Sequence, residues 1–305
     1  MNAGAGNEGA WSEDAIHRWL ATLPAPAGRA AGAMHDAAYL EELDGPPVVC
    51  VDQCIEGVHF DASAPRATAG GKAVLRALSD LAASAARPHS VTLAVRASGT
   101  VPARDVEDVI LGARDAAERF GASLVAGDLA RADGPLGLTV TALGALAAPW
   151  PPPERARASL GQTVLLSGPV GGSLGSGRHL VPTPRIEEGI AAARAGATAL
   201  MDVSDGLAWD LYRLARTAGV GIDLDLDAVP VHDDARGLAD PLSAALHDGE
   251  DHELIATVDP SVSVALGPRW ARIGRVRAGA GLTLVGPDGA RTEWSPGDGG
   301  WRHGR

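Results

Sequence analysis

The chain has 305 residues, of which 46% are hydrophobic, and a formal net charge of −12. The length and apolar content suffice for a sizeable core and favour two domains, while the acidic balance argues against binding of nucleic acid or of an anionic membrane. No stretch approaches the roughly 18 apolar residues of a membrane span, and no basic start with an apolar run opens the chain, so we expect a cytoplasmic protein.

The first half of the sequence alternates strand and helix patterns. Residues 1–31 contain one amphipathic helix, with Trp11, Ile16 and Trp19 at helical spacing, and then a Pro/Ala/Gly connection that we expect to be flexible. Gly127 and Asp128 follow an apolar run and predict a turn at the end of a strand. The patterns predict strands at 46–51, 90–97 and 136–146 and helices at 71–86 and 103–120.

The second half begins after a proline-rich linker. Consecutive prolines at 151–153 favour an extended path, and we place the domain boundary there. This division gives an N-terminal α/β domain over residues 32–148 and a C-terminal α+β domain over residues 149–305. In the second domain, the patterns predict strands at 162–167, 221–226, 254–258 and 282–285 and helices at 186–195 and 207–218.

Acidic residues recur inside short apolar and glycine-rich segments and are the main candidates for chemistry. They include Asp52, Asp80, Asp128, Asp202 and Asp205. A carboxylate among Val, Leu, Ala and Gly is expected near the edge of the core, where an unpaired charge is costly. The chain has a single lysine and its remaining positive charge is arginine, while Mg²⁺ prefers oxygen ligands and substrate phosphates. The pattern therefore predicts several Mg²⁺ ions that hold a polyphosphate.

Two further segments bear on phosphate binding. The segment from Gly172 to His179 lacks the Lys-Ser/Thr ending of a P-loop, so we interpret it as a tight glycine turn between a strand and a helix. Asp202, Ser204 and Asp205 precede a predicted helix, where one such side chain would cap the backbone. Their number exceeds what a cap requires, and this favours a functional site at the helix start.

A larger set of motifs occurs in a fixed order along the chain. It comprises GAMHDAA at 32–38, VD at 51–52, EGVHF at 56–60, GKA at 71–73, LSDLAA at 78–83, GD at 127–128, PR at 184–185, DVSDGL at 202–207 and GEDHEL at 249–254. As a set, from about residue 32 to residue 301, these motifs resemble the thiamine-monophosphate kinases, which belong to the aminoimidazole ribonucleotide synthetase-like superfamily. The segments at 56–60 and 202–207 are the most specific, because they separate this kinase from its relatives.

The resemblance implies an N-terminal α/β domain whose sheet pairs with its twin in a homodimer, a C-terminal α+β domain, and ATP held in a cleft. It also implies in-line transfer of the γ-phosphoryl group of ATP to thiamine monophosphate, with no general base, because the acceptor phosphate is already anionic. By resemblance, Mg²⁺ would be held by Asp36, Asp52, Asp80, Asp128, Asp202 and Asp205, ATP by Gly127, Asp128, Arg155 and Ser204, and thiamine monophosphate by His59, Glu250 and Trp301.

The sequence departs from the family's pattern close to these motifs. Thiol and imidazole groups are poorer Mg²⁺ ligands than hydroxyl and carboxylate groups. Two hypotheses therefore stand beside the active kinase: a weak or inactive homologue that binds a nucleotide and has a regulatory or structural role, and a kinase of the same fold that acts on another small phosphate. The departures are His35, Cys50, Val51, Ala77, Leu111, Leu129 and His252.

Overall fold

The computed structural model describes residues 9–25, 37–262 and 266–300. These residues form two compact units, the first within Met1–Leu78 and Pro88–Ala145 and the second within Ser79–Arg87 and Leu146–Arg305. Among the described residues, no helix is long and apolar enough to cross a membrane.

The first unit contains a four-stranded sheet in the order β1-β4-β2-β3, in which β1 pairs antiparallel with β4 and β2 pairs parallel with β3. The predicted N-terminal helix is confirmed as α1, and the other helices and strands predicted in this half are confirmed with longer or slightly shifted bounds. The elements are α1 (Glu13–Leu20), β1 (Pro47–Ile55), α2 (Arg66–Ala83), β2 (Ala86–Ala97), α3 (Ala103–Arg119), β3 (Ser123–Arg131) and β4 (Gly137–Leu146).

The prediction of a turn at Gly127 and Asp128 is wrong, because β3 continues through both residues. Gly127 pairs with Leu93 and Asp128 with Ala94 in the parallel ladder. A Cβ atom on Gly127 would lie 2.4 Å from the Leu93 carbonyl oxygen. The glycine therefore marks a close approach of two strands and not a break in the chain.

The two faces of the sheet differ, as the alternation of β1 indicates. One face lies against α2, where the Cys50 thiol donates to the Ala77 carbonyl at 3.2 Å. The other face carries Val49 and Val51, whose exposed fractions are 64% and 62%. The structure of this unit therefore leaves an apolar strand face uncovered.

Helices α2 and α3 approach each other closely through glycine. A Cβ atom on Gly70 would lie 2.0 Å from the Val109 carbonyl oxygen, and one on Gly112 would lie 1.9 Å from the Ala67 carbonyl oxygen. Only residues without a side chain permit this backbone contact. The two helices pack closely beside the sheet, and α2 carries the charged side chains of Arg66, Lys72 and Arg76.

The second unit contains a seven-stranded sheet in the order β11-β10-β7-β9-β5-β8-β6. Its apolar core includes the buried residues of β5, β6 and β8 and the inner side of α6. The strands and helices predicted in this half are confirmed at β5, β7, β8, β10, α5 and α6, whereas β6, β9, β11 and α7 were not predicted. The elements are β5 (Thr163–Leu166), α4 (Ser173–Ser176), α5 (Ile186–Arg194), β6 (Ala199–Asp202), α6 (Leu207–Ala218), β7 (Gly221–Asp225), α7 (Pro241–His247), β8 (Leu254–Val258), β9 (Ala271–Arg277), β10 (Gly281–Val285) and β11 (Arg291–Trp294).

Candidate active site

Asp202 is the central carboxylate of the second unit. It is the last residue of β6 and is buried, and the hydroxyl of Ser79 donates to its Oδ2 atom at 2.8 Å. Burial alone would raise the pKa of Asp202, but His252, Ser79 and the field of Arg155 hold that pKa below its ordinary value. The side chain is therefore a stabilised anion inside the protein.

His252 lies between two carboxylates. Its Nδ1 atom is 3.4 Å from Asp202 Oδ2, and its Nε2 atom is 3.5 Å from Glu250 Oε2. Burial lowers the pKa of His252, but the carboxylates of Asp202 and Glu250 outweigh it and raise that pKa to about 9. An imidazolium thus occupies this position at neutral pH and supplies an internal positive charge.

The backbone has an unusual conformation at this histidine and two residues before it. Glu250 and His252 have φ values of 55° and 54°, in the left-handed region that few non-glycine residues adopt. Such conformations persist where the surrounding structure holds them, and they concentrate at functional sites. Here the Glu250 amide donates to the Ser204 carbonyl and the His252 amide to the Val203 carbonyl, both at 2.8 Å.

Further carboxylates, Asp205 and Asp210, lie at the start of α6. Asp210 is buried, and its Oδ2 atom accepts from the backbone amides of Ser204 at 3.1 Å and Asp205 at 3.0 Å. Gly206 is the N-cap of α6 and no side chain caps it, so capping does not explain Ser204 or Asp205. Burial raises the pKa of Asp210 well above its ordinary value, and the charges of Asp205 and Asp202 raise it further.

Arg213 moderates this accumulation of negative charge. Its Nη1 atom lies 2.6 Å from Asp205 Oδ2 and 3.4 Å from Asp210 Oδ1. Neither Asp210 nor Arg213 was predicted as a site residue. The signal that could have found them is their position on α6, three residues apart and therefore on one side of the helix.

The glycine-rich segment after β5 holds the loop that carries Glu250 and His252. The Gly171 amide donates to both oxygens of Asp251 at 3.0 Å, and the Gly172 amide donates to Asp248 at 3.0 Å. Arg178 adds a bond of 3.0 Å to Asp251. The interpretation of residues 172–179 as a tight glycine turn holds only at Gly172 and Gly177, which have positive φ values, because Ser173–Ser176 between them form the short helix α4. The amides of Gly171 and Gly172 bind the chain's own carboxylates.

Glu253 closes the same loop on the side of β8. The side chain of Arg185 binds the Glu253 carboxylate, with Nε at 3.0 Å from Oε1, and the hydroxyl of Ser167 donates to that carboxylate. Ser167 also accepts from the Leu254 amide at 2.8 Å. Neither Ser167 nor this pairing of Arg185 was predicted, because the partners are far apart in sequence.

In the first unit, Asp52 and Asp128 have different surroundings. The Asp52 carboxylate accepts from Arg76 Nε of α2 at 2.9 Å. Asp128 is exposed on β3 and lines a cavity of about 330 Å³ with Gln53 and Thr139. Gln53 follows Asp52 in β1, so the two residues point to opposite faces of the sheet. Asp52 therefore faces α2, whereas Asp128 lies on the face that α2 does not cover.

Two predicted site residues lie outside the described residues, Asp36 and Trp301. The chain before Trp301 is described up to Gly300, where an added Cβ atom would lie 2.8 Å from Trp209 Cβ and 3.2 Å from the Asp205 carbonyl oxygen. The C-terminal segment thus reaches the start of α6. The remaining predicted residues are divided between the units, with Asp52, His59, Gly127 and Asp128 in the first and Asp80, Arg155, Asp202, Ser204, Asp205 and Glu250 in the second.

Within the part of the chain that the structure describes, no group of three or more His, Cys, Asp or Glu side chains could by itself hold a metal ion. Mg²⁺ in phosphoryl-transfer sites is usually bound by one or two carboxylates together with substrate phosphates and water. The crowded carboxylates of the second unit suit that type of site, because a cation would reduce the repulsion from Asp205 and Asp202 that adds to burial in raising the pKa of Asp210.

Comparison with known families defines the class of protein. Residues 34–146 match the AIR synthase related protein, N-terminal domain, and residues 173–286 match the AIR synthase related protein, C-terminal domain. The chain is 37% identical over 253 residues to the thiamine-monophosphate kinase of Rhodopirellula baltica, with 77% of each chain covered.

Two solved structures share the fold over nearly the whole chain. The thiamine-monophosphate kinase of Stenotrophomonas maltophilia K279a is 31% identical, with a TM-score of 0.76 and coverage of 90% of this chain and 95% of that one. AaThiL complexed with AMPPCP and TMP is 26% identical, with a TM-score of 0.77 and 95% of both chains covered. The chain belongs to the thiamine-monophosphate kinase family, as the sequence motifs predict.

Proposed function

We propose that this chain transfers the γ-phosphoryl group of ATP to thiamine monophosphate and releases thiamine diphosphate and ADP. The observation that carries the choice of substrates is the similarity, over 95% of both chains, to AaThiL complexed with AMPPCP and TMP. Curated relatives named thiamine-monophosphate kinase, at 30–37% identity, support the same reaction. Because ATP is the donor, we place the reaction in the cytoplasm.

Mg²⁺ would be held by the aspartates that the family resemblance assigns. In the second unit, Asp202 ends β6 and Asp205 lies just before α6, and both are close enough to Asp210 for their charges to raise its pKa, so the two would bind Mg²⁺ together. In the first unit, Asp52 and Asp128 face different sides of the sheet and would serve different ions. When bound, Mg²⁺ neutralises the phosphates and stabilises charge on the transferring group. The full proposed set is Asp36, Asp52, Asp80, Asp128, Asp202 and Asp205.

The protein's own contribution is to orient two anions that repel each other. Arg155 lies close enough to Asp202 for its charge to lower the pKa of that carboxylate, and its guanidinium would bind the nucleotide phosphates near the Mg²⁺ ligands. The backbone of Ser204 is held by the hydrogen bond that its amide donates to Asp210 Oδ2. The proposed ATP contacts are Gly127, Asp128, Arg155 and Ser204.

The acceptor needs orientation more than activation. The phosphate of thiamine monophosphate has a second pKa of about 6 and is anionic at neutral pH, so in-line attack requires no general base. Glu250 would contact the acceptor from the loop held by Asp251, and His59 would contact it from the turn after β1. Trp301 would stack on a thiamine ring.

An acceptor comparison tests the proposal. ADP release from ATP and Mg²⁺ is measured with thiamine monophosphate, with thiamine and with other small monophosphates at equal concentration. We expect ADP to be released with thiamine monophosphate and not with the other acceptors. Release with another phosphate would assign a different substrate to the same fold, and binding of ATP without release would assign a nucleotide-binding role without turnover.

We propose in addition that the uncovered face of the four-stranded sheet pairs with a second copy of the chain. Val49 and Val51 expose an apolar strand face there, which is costly in water. Val51→Asp is expected to convert a dimer into a monomer in sedimentation velocity. Leu160→Asp, at an exposed apolar residue of the second unit, is the matched control and should remain dimeric. A Val51→Asp variant that sediments as the wild type would place the interface elsewhere.

A further inference from the structure

Lys72 is the only lysine of the chain, and it is fully buried. It lies in α2, beside the glycines through which α2 packs closely on α3. A buried ammonium loses its hydration, and this loss must be offset by hydrogen bonds in a fixed geometry. The Nζ atom donates to the carbonyl oxygen of His59 at 2.5 Å.

The acceptor of this bond belongs to a tight turn over residues 55–60. The His59 amide donates to the Ile55 carbonyl at 2.9 Å, and the Gly57 amide donates to the Phe60 carbonyl at 2.7 Å. Gly57 has a φ value of 79°, which the turn requires and which glycine adopts without strain. The turn therefore presents the His59 carbonyl towards α2.

The imidazole of His59 is fixed from the other side. The Ile55 amide donates to His59 Nδ1 at 3.0 Å, so Nδ1 is the acceptor and the neutral ring carries its proton on Nε2. His59 as a whole is 9% exposed. His59 is thus a hydrogen-bond donor of fixed tautomer, which suits an acceptor atom such as a phosphate oxygen.

The same helix holds the turn at a second point. Arg66 Nη1 lies 2.6 Å from Glu56 Oε2, and Arg66 Nε lies 3.0 Å from Asp105 Oδ2 of α3. Two cations of α2, Arg66 and Lys72, therefore bind the first and the last part of the turn. These contacts fix the position of the turn relative to helices α2 and α3.

We propose that Lys72 is a positioning residue for the acceptor substrate: its buried ammonium fixes the His59 carbonyl and thereby directs the His59 ring at thiamine monophosphate. The inference rests on the proposed function, in which His59 contacts that substrate. The chain uses arginine at every other basic position. A compact ammonium with three donors fits a fully buried site beside a glycine-packed helix, whereas the planar guanidinium fork is larger.

Kinetics of Lys72→Met test the proposal. Methionine has a similar length and no charge, so the turn loses its fixed carbonyl while the core keeps its volume. We expect KM for thiamine monophosphate to rise by about tenfold or more, with kcat and KM for ATP close to the wild-type values. Arg104→Met, at an exposed position of α3, is the matched control and should leave all three constants unchanged. An unchanged KM for thiamine monophosphate, or an equal rise for both substrates, would overturn the proposal.

A measurement on the wild type keeps the test independent of the variant's folding. Lysine labelled with ¹³C at Cε gives one signal, because Lys72 is the only lysine. We expect this signal to shift on saturation with thiamine monophosphate and to stay in place with AMPPCP alone. Calorimetry on the same sample reports binding directly. Binding without a shift would overturn the role of Lys72 and leave the proposed function intact, whereas absence of acceptor binding would overturn both.

Discussion

Asp202→Asn is expected to lower kcat by about a thousandfold. The substitution removes a buried negative charge that Ser79 and His252 stabilise, and in the proposed site it removes charge that would hold Mg²⁺ against the transferring phosphoryl group. Asparagine has nearly the same shape, so the loss concerns charge and not volume. Steady-state formation of thiamine diphosphate at saturating substrates measures the effect.

The matched control is Asp288→Asn, at an exposed carboxylate that accepts a local turn hydrogen bond from the Ala290 amide. It should retain wild-type turnover. Circular dichroism and the thermal midpoint establish that both variants are folded. Retention of more than a tenth of wild-type kcat in folded Asp202→Asn would remove this residue from the transfer step and leave it a structural role at the end of β6.

The unfolding free energy is expected to fall as the pH rises from 6.5 to above 9. The pKa of His252 lies at about 9 in the folded protein, because Asp202 and Glu250 outweigh burial, whereas an unfolded histidine titrates near 6.5. The folded state therefore binds this proton more tightly. Its contribution is complete below pH 6.5 and is lost as the pH passes through 9. At 1.36 kcal/mol per pKa unit, the full loss is about 3 kcal/mol.

Urea unfolding at a series of pH values between 6 and 10, in EDTA so that no metal contributes, measures this loss. His252→Gln should give a flatter profile over the same range and a lower stability at pH 6.5, because the buried Asp202 and the partly buried Glu250 then lack their cation. His17→Gln, at an exposed position of α1, should reproduce the wild-type slope. A wild-type profile as flat as that of His252→Gln would show that His252 is not an imidazolium in the folded chain.

Local sequence pattern predicted most of the elements, and the exceptions have physical causes. Strand β9 was missed because exposed arginines alternate with its buried residues, Ile273 and Val276, and lower its apparent hydrophobicity. Strand β6 was missed because its first three residues, Ala199, Leu200 and Met201, favour helices and none of them is β-branched. The turn predicted at Gly127 failed because a glycine within a strand has the same local signature as a glycine that ends one.

Some residues of the candidate site could also be predicted from the sequence, and others could not. Spacing alone indicated that Asp202, Ser204 and Asp205 belong to one site, because they lie close together in sequence. The bond from Ser79 to Asp202 joins residues 123 positions apart and has no local signature. From the sequence, His252 was identified only as a departure from the family's pattern, whereas its place between two carboxylates gives it the role of an internal cation.

Transfer of a labelled γ-phosphoryl group from ATP to thiamine monophosphate tests the central claim most directly. Purified wild-type protein is incubated with Mg²⁺, thiamine monophosphate and ATP labelled in the γ-phosphate, and labelled thiamine diphosphate and ADP are quantified together. The account predicts labelled thiamine diphosphate in a one-to-one ratio with ADP and its loss in Asp202→Asn. ADP with label only in inorganic phosphate, or labelled thiamine diphosphate formed equally well by Asp202→Asn, would contradict it.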